Sequence, residues 1–291
     1  MKKNRILNVI VIVMLLTTFL ASGCGVILIP DNEETPGGEI ETRQYNFTEF
    51  TRIAIRSDFT YEIKQADTYS ISITADRNVL EDLRVTKEGQ TLDIGIGFPG
   101  VASTFKLDSN RKVVITMPEL QGLDSTGATY GTITGFKSDE DLDITVSRAS
   151  TVELDDIAAG DSIFDVSGGS TVKIRDLYVG DITFIIDRDN EVTGDIKAKD
   201  MDLKVSKSSE IQLKGLADNL TINGSGDSHI KLSGLEVENA NVTLSGASEA
   251  TINLTGSLNY DLRTGASLEY IGEPTFGSIM NMTGDSTVKR K

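Results

Sequence analysis

The sequence predicts an all-β fold, a parallel β-helix-like solenoid of about nine rungs with an irregular β cap at its N-terminal side. Three observations carry this expectation. A four-residue signature recurs nine times, apolar residues alternate with period two at fixed offsets from it, and residues 119–273 contain no proline. The composition agrees: 27 Gly, 5 Pro and no Trp among 291 residues favour strands joined by tight turns.

The copies of the signature begin at Thr126, Ser147, Ser167, Asp187, Ser206, Ser225, Ser245, Thr264 and Thr283, with successive starts 19 to 21 residues apart. A period of this size means a stack of short supersecondary units. Before each signature lies an alternating apolar run, as in Leu142, Ile144, Val146 and in Ile182, Phe184, Ile186. After it comes a second pair, such as Val152 with Leu154 or Ile230 with Leu232. A third apolar point follows ten residues after the start, at Phe136, Ile157, Leu177, Leu216 and Leu235. Three apolar sides per lap describe a coil of strands closing on its own interior. Helix-pair repeats need 33 or more residues, and the Leu and Asn pattern of leucine-rich repeats is absent. With strands about 4.8 Å apart, nine rungs make a rod of roughly 43 Å.

Each signature column has a physical reading. The second position is Gly in six copies, which marks a corner of positive φ or crowded backbone, and Arg148, Arg188 and Lys207 in the other three. The fourth is always small and polar: Thr129, Ser150, Ser170, Asn190, Ser209, Ser228, Ser248, Ser267 and Ser286. Such a row suits a ladder of side chains capping turn amides. Nine equivalent positions without a neighbouring base are not activated nucleophiles. The missing prolines are expected wherever strand amides are paired on both sides.

Upstream, residues 45–118 carry strand patterns without the signature, around Ile53 to Ile55, Tyr61 to Ile63, Tyr69 to Ile73, Leu92 to Ile96 and Val113 to Met117. One short helix is expected from Asp76 to Leu83, with Asp76 as its cap. Residues 43–118 are therefore expected to form cap layers of the same body, and residues 119–291 its repeat region.

The first residues are a different material. Lys2, Lys3 and Arg5 precede an apolar run over residues 6–16, then Ala21, Ser22 and Gly23 lead to Cys24, the only cysteine. This order reads as an export signal over residues 1–23, and the small residues before Cys24 resemble the bacterial lipobox, in which that cysteine is lipidated. The alternative is that residues 6–30 stay as an uncleaved membrane helix. Either reading places the remainder in the cell envelope, anchored at the outer face of a bacterial membrane. Residues 24–42 are rich in acids and turn formers, and are expected to be a flexible tether. An exported domain without a second cysteine gains no internal disulfide.

The formal net charge of −16 argues against nucleic acid as a partner. No cofactor is expected. His229 is the only histidine, and Asp189, Asp227 and Asp285 do not fall in adjacent rungs, so neither a zinc nor a calcium site is expected.

Several stretches together resemble a known family. They are Phe47, Thr48, Glu49, Phe50 and Thr51 with Arg52 and Ile53; Asp76, Arg77, Asn78, Val79 and Leu80; Leu92, Asp93 and Ile94; Val114 through Pro118 to Leu120; the Ser-Gly-Ala-Ser units; and Tyr270, Gly272 and Pro274 near the end. The chain resembles the bacterial GIN domain, a family of unknown function named for a putative auto-transporter adhesin head, over about residues 46–288. That resemblance implies a right-handed β-helix-like fold on secreted or lipid-anchored proteins with no established activity.

The function expected is non-catalytic, adhesin-like binding of an envelope polysaccharide or surface protein. Arg148, Arg188 and Lys207 share one corner position and form a candidate ligand-contact stripe. The competing reading is a polysaccharide-acting β-helix enzyme, a lyase or hydrolase, using Asp187, Arg188 and Asp189 with Asp195. Acid and base catalysis needs paired groups with displaced pKa values in a cleft, and nothing in the sequence marks a cleft.

Overall fold

A computed structural model describes residues 39–97 and 110–291. The export segment, Cys24 and most of the expected tether lie outside the described residues. Those that are described belong to one compact unit, Gly37–Lys291. Among them no helix is long and apolar enough to cross a membrane.

The repeat region is a parallel β-solenoid of about eight turns. Nine signature corners bound eight complete laps, so the expectation of nine rungs counted corners as turns. One ladder consists of the strands entering each corner: β8 (Gly122–Thr126), β10 (Leu142–Ser147), β12 (Ser162–Ser167) and β14 (Ile182–Asp187) pair in parallel, each with the next. A second ladder consists of those leaving it: β9 (Tyr130–Thr134), β11 (Thr151–Ala158) and β13 (Thr171–Tyr178). From there single strands run from one corner to the next: β15 (Glu191–Ser206), β16 (Glu210–Ser225), β17 (His229–Ser245) and β18 (Glu249–Arg263). Their two ends extend the two ladders, which finish in β19 (Ser267–Gly272), β20 (Thr275–Thr283) and β21 (Thr287–Arg290).

Pairing in register stacks identical positions. The column Ile144, Phe164, Phe184, Leu203, Ile222 and Val242 runs through six rungs, every member buried. Phe164 and Phe184 lie 5.1 Å apart, centroid to centroid. The alternating residues expected on either side of the signature are likewise buried, among them Val146, Ile186, Val152, Leu154, Ile230 and Leu232.

The third apolar point follows the same logic with one correction. Phe136, Ile157, Leu177 and Leu235 are buried, but Leu216 is 49% exposed. In the second and third rungs Asp156 and Asp176 adopt positive φ (57° and 53°), an extra residue before the inward Ile157 and Leu177. The fourth rung omits that residue, so Ile196 pairs with Leu177, and in the fifth Gly215 takes the inward place. Leu216, one residue on, faces outward beside Lys197.

The corner itself is a hydrogen-bonded stack. At its second position φ is positive whatever the residue: 68° at Gly168, but also 56° at Arg148, 76° at Arg188 and 53° at Lys207. The amide at position three donates to the position-two carbonyl of the next rung, as in Ala149 N to Gly168 O at 2.9 Å and Asp189 N to Lys207 O at 3.0 Å. The buried side chain at position four accepts from the position-four amide of the rung before it. Ser150 Oγ takes Thr129 N at 3.3 Å, Ser170 Oγ takes Ser150 N at 3.3 Å, and Asn190 Oδ1 takes Ser170 N at 2.9 Å. The same hydroxyls donate to the position-one carbonyl of their own corner, 2.8 Å for Ser150 to Ser147 and for Ser170 to Ser167. The eighth corner departs from the expected register. Arg263 pairs with both Ser245 and Thr283, so the corner is Arg263, Thr264, Gly265 and Ala266, and buried Ala266 replaces the expected Ser267 in the ladder.

The N-terminal layers repeat this design out of chain order. β2 (Arg52–Arg56) and β3 (Thr60–Gln65) flank a corner at Ser57 and Asp58, both of positive φ, and pair in parallel with β8 and β9. On their other side lie β6 (Thr91–Ile96) and β7 (Lys112–Met117), again parallel. The chain therefore builds one rung, climbs past it through β4 (Ser70–Asp76), α1 (Arg77–Asp82) and β5 (Leu83–Glu88), and returns to fill the layer between. β4 and β5 pair antiparallel with β7 and β6, and β1 (Ile40–Tyr45) pairs antiparallel with β4. Residues 40–42, expected to be tether, are thus strand. Helix α1 buries Val79 and Leu80 over this end, and Asp76 precedes it without a side-chain capping bond. Beneath, Tyr61 Oη donates to Ser125 Oγ at 2.9 Å. Its ring occupies the space that a Cβ on Gly131 would need, which would fall 1.8 Å from Cζ.

Three substitutions at two positions test this packing. Phe184→Ala removes one member of the central column and is expected to cost about 3–5 kcal/mol, read as a lower urea midpoint. Arg148→Gly is expected to hold or raise that midpoint, whereas Arg148→Val lowers the unfolding free energy by about 1–2 kcal/mol, because a β-branched residue fits a positive-φ corner poorly.

Candidate functional site

The three candidate cations sit where the repeat puts them, at position two of the second, fourth and fifth corners. Arg188 and Lys207 are on adjacent rungs, while the Gly168 rung separates Arg148 from them. At about 4.8 Å per rung, the stripe is a close pair with a third member roughly 10 Å away. Both members of the pair turn to Asp187, at position one of the fourth corner. Arg188 Nε lies 2.8 Å from Asp187 Oδ2 and Lys207 Nζ lies 2.9 Å from Oδ1. Ser206 Oγ donates to the same carboxylate at 2.7 Å.

These contacts set the chemistry. The Ser206 hydroxyl, then the Lys207 and Arg188 charges, hold the Asp187 carboxyl well below the usual carboxylate range. Such a group stays ionised and does not serve as a general acid near neutral pH. Asp195 is likewise bound in an ion pair, 3.1 Å from Lys214 Nζ. Asp187, Arg188, Lys204 and Lys207 border an open hollow of about 580 Å³, and Ile185 lies exposed beside them. Arg148 acts on another carboxyl: burial pushes Asp124 up, against the pull of Arg56 and Arg148.

A larger groove, of about 980 Å³, crosses the outer face of β13, β15, β16 and β17. Lys173, Arg175, Lys214 and Lys231 line it, with Thr193 and Gln212 between them. Lys173 and Lys231 each follow their signature start by six residues, Arg175 and Lys214 by eight, and that shared offset is the sequence signal that could have found them. Three of these cations are paired with acids one rung away, Lys173 with Glu153 at 3.1 Å, Lys231 with Glu210 at 2.6 Å, and Lys214 with Asp195.

On the third side of the solenoid acidic residues also serve the stack. Asp141 Oδ1 accepts Asp161 N, and Asp161 Oδ1 accepts Asp181 N, both at 2.9 Å. The column continues through Asp200, Asn219 and Asn239, with Asn219 Nδ2 donating to Asp200 Oδ1 at 2.7 Å. Among the described residues no group of three or more His, Cys, Asp or Glu is arranged to hold a metal ion. His229 lies on the outer face with Nδ1 3.5 Å from Glu249. The arrangement offers long polar columns, two shallow grooves and neutralised charge pairs, which suit extended contact with a ligand.

Comparison with known proteins agrees with this geometry. No curated protein matches the chain. Solved structures do. One described as a putative lipid binding protein from Parabacteroides distasonis ATCC 8503 aligns with a TM-score of 0.65 at 19% identity, covering 88% of this chain and 98% of that one. A putative adhesin from the same organism gives 0.61 at 16% identity, over 88% and 98%. A putative adhesin from Parabacteroides merdae ATCC 43184 gives 0.59 at 19% identity, over 87% and 97%. At these identities the likeness is one of fold. The sequence itself matches one family twice, over residues 49–177 and again over 162–274, as a stack of like rungs permits. By those two matches, which together take in most of its length, the chain belongs to the family described as the putative auto-transporter adhesin head, GIN domain.

Proposed function

We propose that this chain is a non-catalytic, adhesin-like binding protein of the bacterial cell envelope. In this reading it is held at the outer face of a membrane by a lipid on Cys24, and the solenoid binds an envelope polysaccharide or a surface protein. Membership of an adhesin-head family supports the reading, and one structural observation carries it. The outer strand faces and corners present the same positions at a constant rise, so a polymer of repeating units meets many equivalent weak contacts whose effects combine. Two of the three carboxylates considered for catalysis are committed elsewhere: Asp187 to Arg188, Lys207 and Ser206, and Asp195 to Lys214. Within this reading Arg148, Arg188 and Lys207 contact anionic groups of the ligand.

Capture from envelope extract and from a glycan array by residues 25–291 tests the proposal directly, with retention of a specific glycan or surface protein as the expected result. Replacing Arg148, Arg188 and Lys207 together with Gly is expected to leave the circular-dichroism spectrum unchanged and weaken retention of an anionic ligand by about three- to hundredfold, since each exposed charge is worth about 0.2–1 kcal/mol. Unchanged retention removes the stripe from the binding surface.

Asp187→Asn separates stability from binding. The Asp187 carboxyl is depressed in the folded state, so its stabilising contribution is present above the ordinary carboxylate pKa of about 4 and disappears as pH falls through the lower folded value. The wild type is expected to exceed Asp187→Asn in unfolding free energy at pH 7, by well under 1 kcal/mol because the pair is solvent-screened, and the difference is expected to shrink progressively as pH falls below about 4. The same variant, by releasing Arg188 and Lys207, is expected to strengthen retention of an anionic ligand at neutral pH.

A further inference from the structure

The two ends of the solenoid are finished differently. At the N-terminal end the outermost strands are β1 and β5, each paired on one side only among the described residues. Both carry charge along their length, Glu41 and Arg43 on β1 and Arg84, Lys87 and Glu88 on β5, and α1 packs Val79 and Leu80 over the interior beside them. Charged side chains on an edge strand oppose the docking of a further strand. At the other end the outermost strands are β20 and β21, which among the described residues pair only with β18 and β19. β21 carries Lys289 and Arg290. β20 carries no charge and no proline over its nine residues, roughly 30 Å of edge.

Four side chains of that edge are large, apolar and exposed. Met280 and Met282 continue the inward column by pairing with Tyr260 and Leu262, yet each is 51% exposed because no rung among the described residues lies beyond them. Ile279 is 51% and Phe276 43% exposed. Phe276 is held by edge-on contacts with Tyr260 and Tyr270, at 6.4 and 5.8 Å between centroids. Leu258 and Leu262 in the rung below are fully buried, so the exposure begins abruptly at β20.

We propose that β20 is a self-association edge, through which two copies of this chain dock end to end about a two-fold axis. The closed N-terminal end directs the choice of occupant. Head-to-tail stacking would bring β20 against β1, β5 and α1, whose charges and covered interior offer no complementary edge, whereas two β20 edges are alike and uncharged. A two-fold arrangement places the same patch on both sides and stops at two copies. Charge is compatible with the same contact: the chain carries a net −16, so acidic faces repel their copies, while β20 adds nothing to that repulsion. The dimer would double the length of the presented columns.

Sedimentation of the full chain with Cys24→Ser tests the proposal, together with oxidative cross-linking of Ser278→Cys in that background and Ser233→Cys, on the outer groove face, as the control. The expected result is a dimer at micromolar concentration that strengthens with added salt, with cross-linking at 278 and none at 233. Met280→Lys combined with Met282→Lys, both at exposed positions, is expected to weaken dimerisation by about tenfold or more with an unchanged circular-dichroism spectrum. A monomer under all conditions, a dimer indifferent to the two lysines, or a cysteine at 278 that joins only a foreign chain overturns the proposal. Each of these outcomes is read without the glycan or surface-protein ligand, so it is independent of the binding function.

Discussion

Parallel stacking of one rung on the next, locked at the corner, is the constraint from which the rest of this structure follows. A rung of about twenty residues buries too little apolar surface to offset the ordering of its own backbone. It persists because each neighbour supplies strand hydrogen bonds, side-chain columns and a polar atom for an otherwise buried amide. The position-four side chain does two things at once: it caps the amide of the rung before and closes its own turn. A residue inserted anywhere in the lap must be absorbed locally, as Asp156 and Asp176 absorb one by positive φ, or the corner columns lose their alignment.

The same constraint shapes the surface available for function. In-register stacking turns outward positions into columns, so a side chain repeated at one offset becomes a stripe and an acid at the same or a nearby offset becomes its counter-ion. Lys173 with Glu153 and Lys231 with Glu210 show the second effect, and Arg188 and Lys207 on Asp187 show both. Most cations on these faces are therefore neutralised one rung away, and an anionic ligand has to compete with intramolecular carboxylates. Binding by such a surface rests on many modest contacts repeated along the rod.

Much of the fold was legible because burial and repetition leave the same mark in sequence. A period of 19 to 21 residues with apolar alternation on both sides of a Gly- and Ser-rich corner has few other solutions, and the buried columns coincide with the alternating residues. What escaped was where spacing and register part company. Leu216 keeps the ten-residue offset but belongs to a rung without the bulge residue, so it points outward. The eighth corner contains Thr-Gly-Ala-Ser, which looks like the signature, yet backbone pairing begins that corner one residue earlier at Arg263. The order of the N-terminal rungs was also hidden, since β6 and β7 are placed by pairing with β2 and β3 and no local pattern records it. The corner cations were visible from their shared offset. Their carboxylate partner, the outer groove and the uncharged edge of β20 emerge only when the rungs are stacked.

The most direct test of the account is a set of spin-label distances between corners. With Cys24 replaced, labels at position three of the first corner, Ala128, and at position three of the sixth and ninth, Asp227 and Asp285, report how far apart the corners lie. Stacked rungs predict separations that grow by about 4.8 Å per rung, roughly 24 Å for the first pair and 38 Å for the second. Broad distributions, or separations that do not grow with the number of intervening rungs, would contradict it.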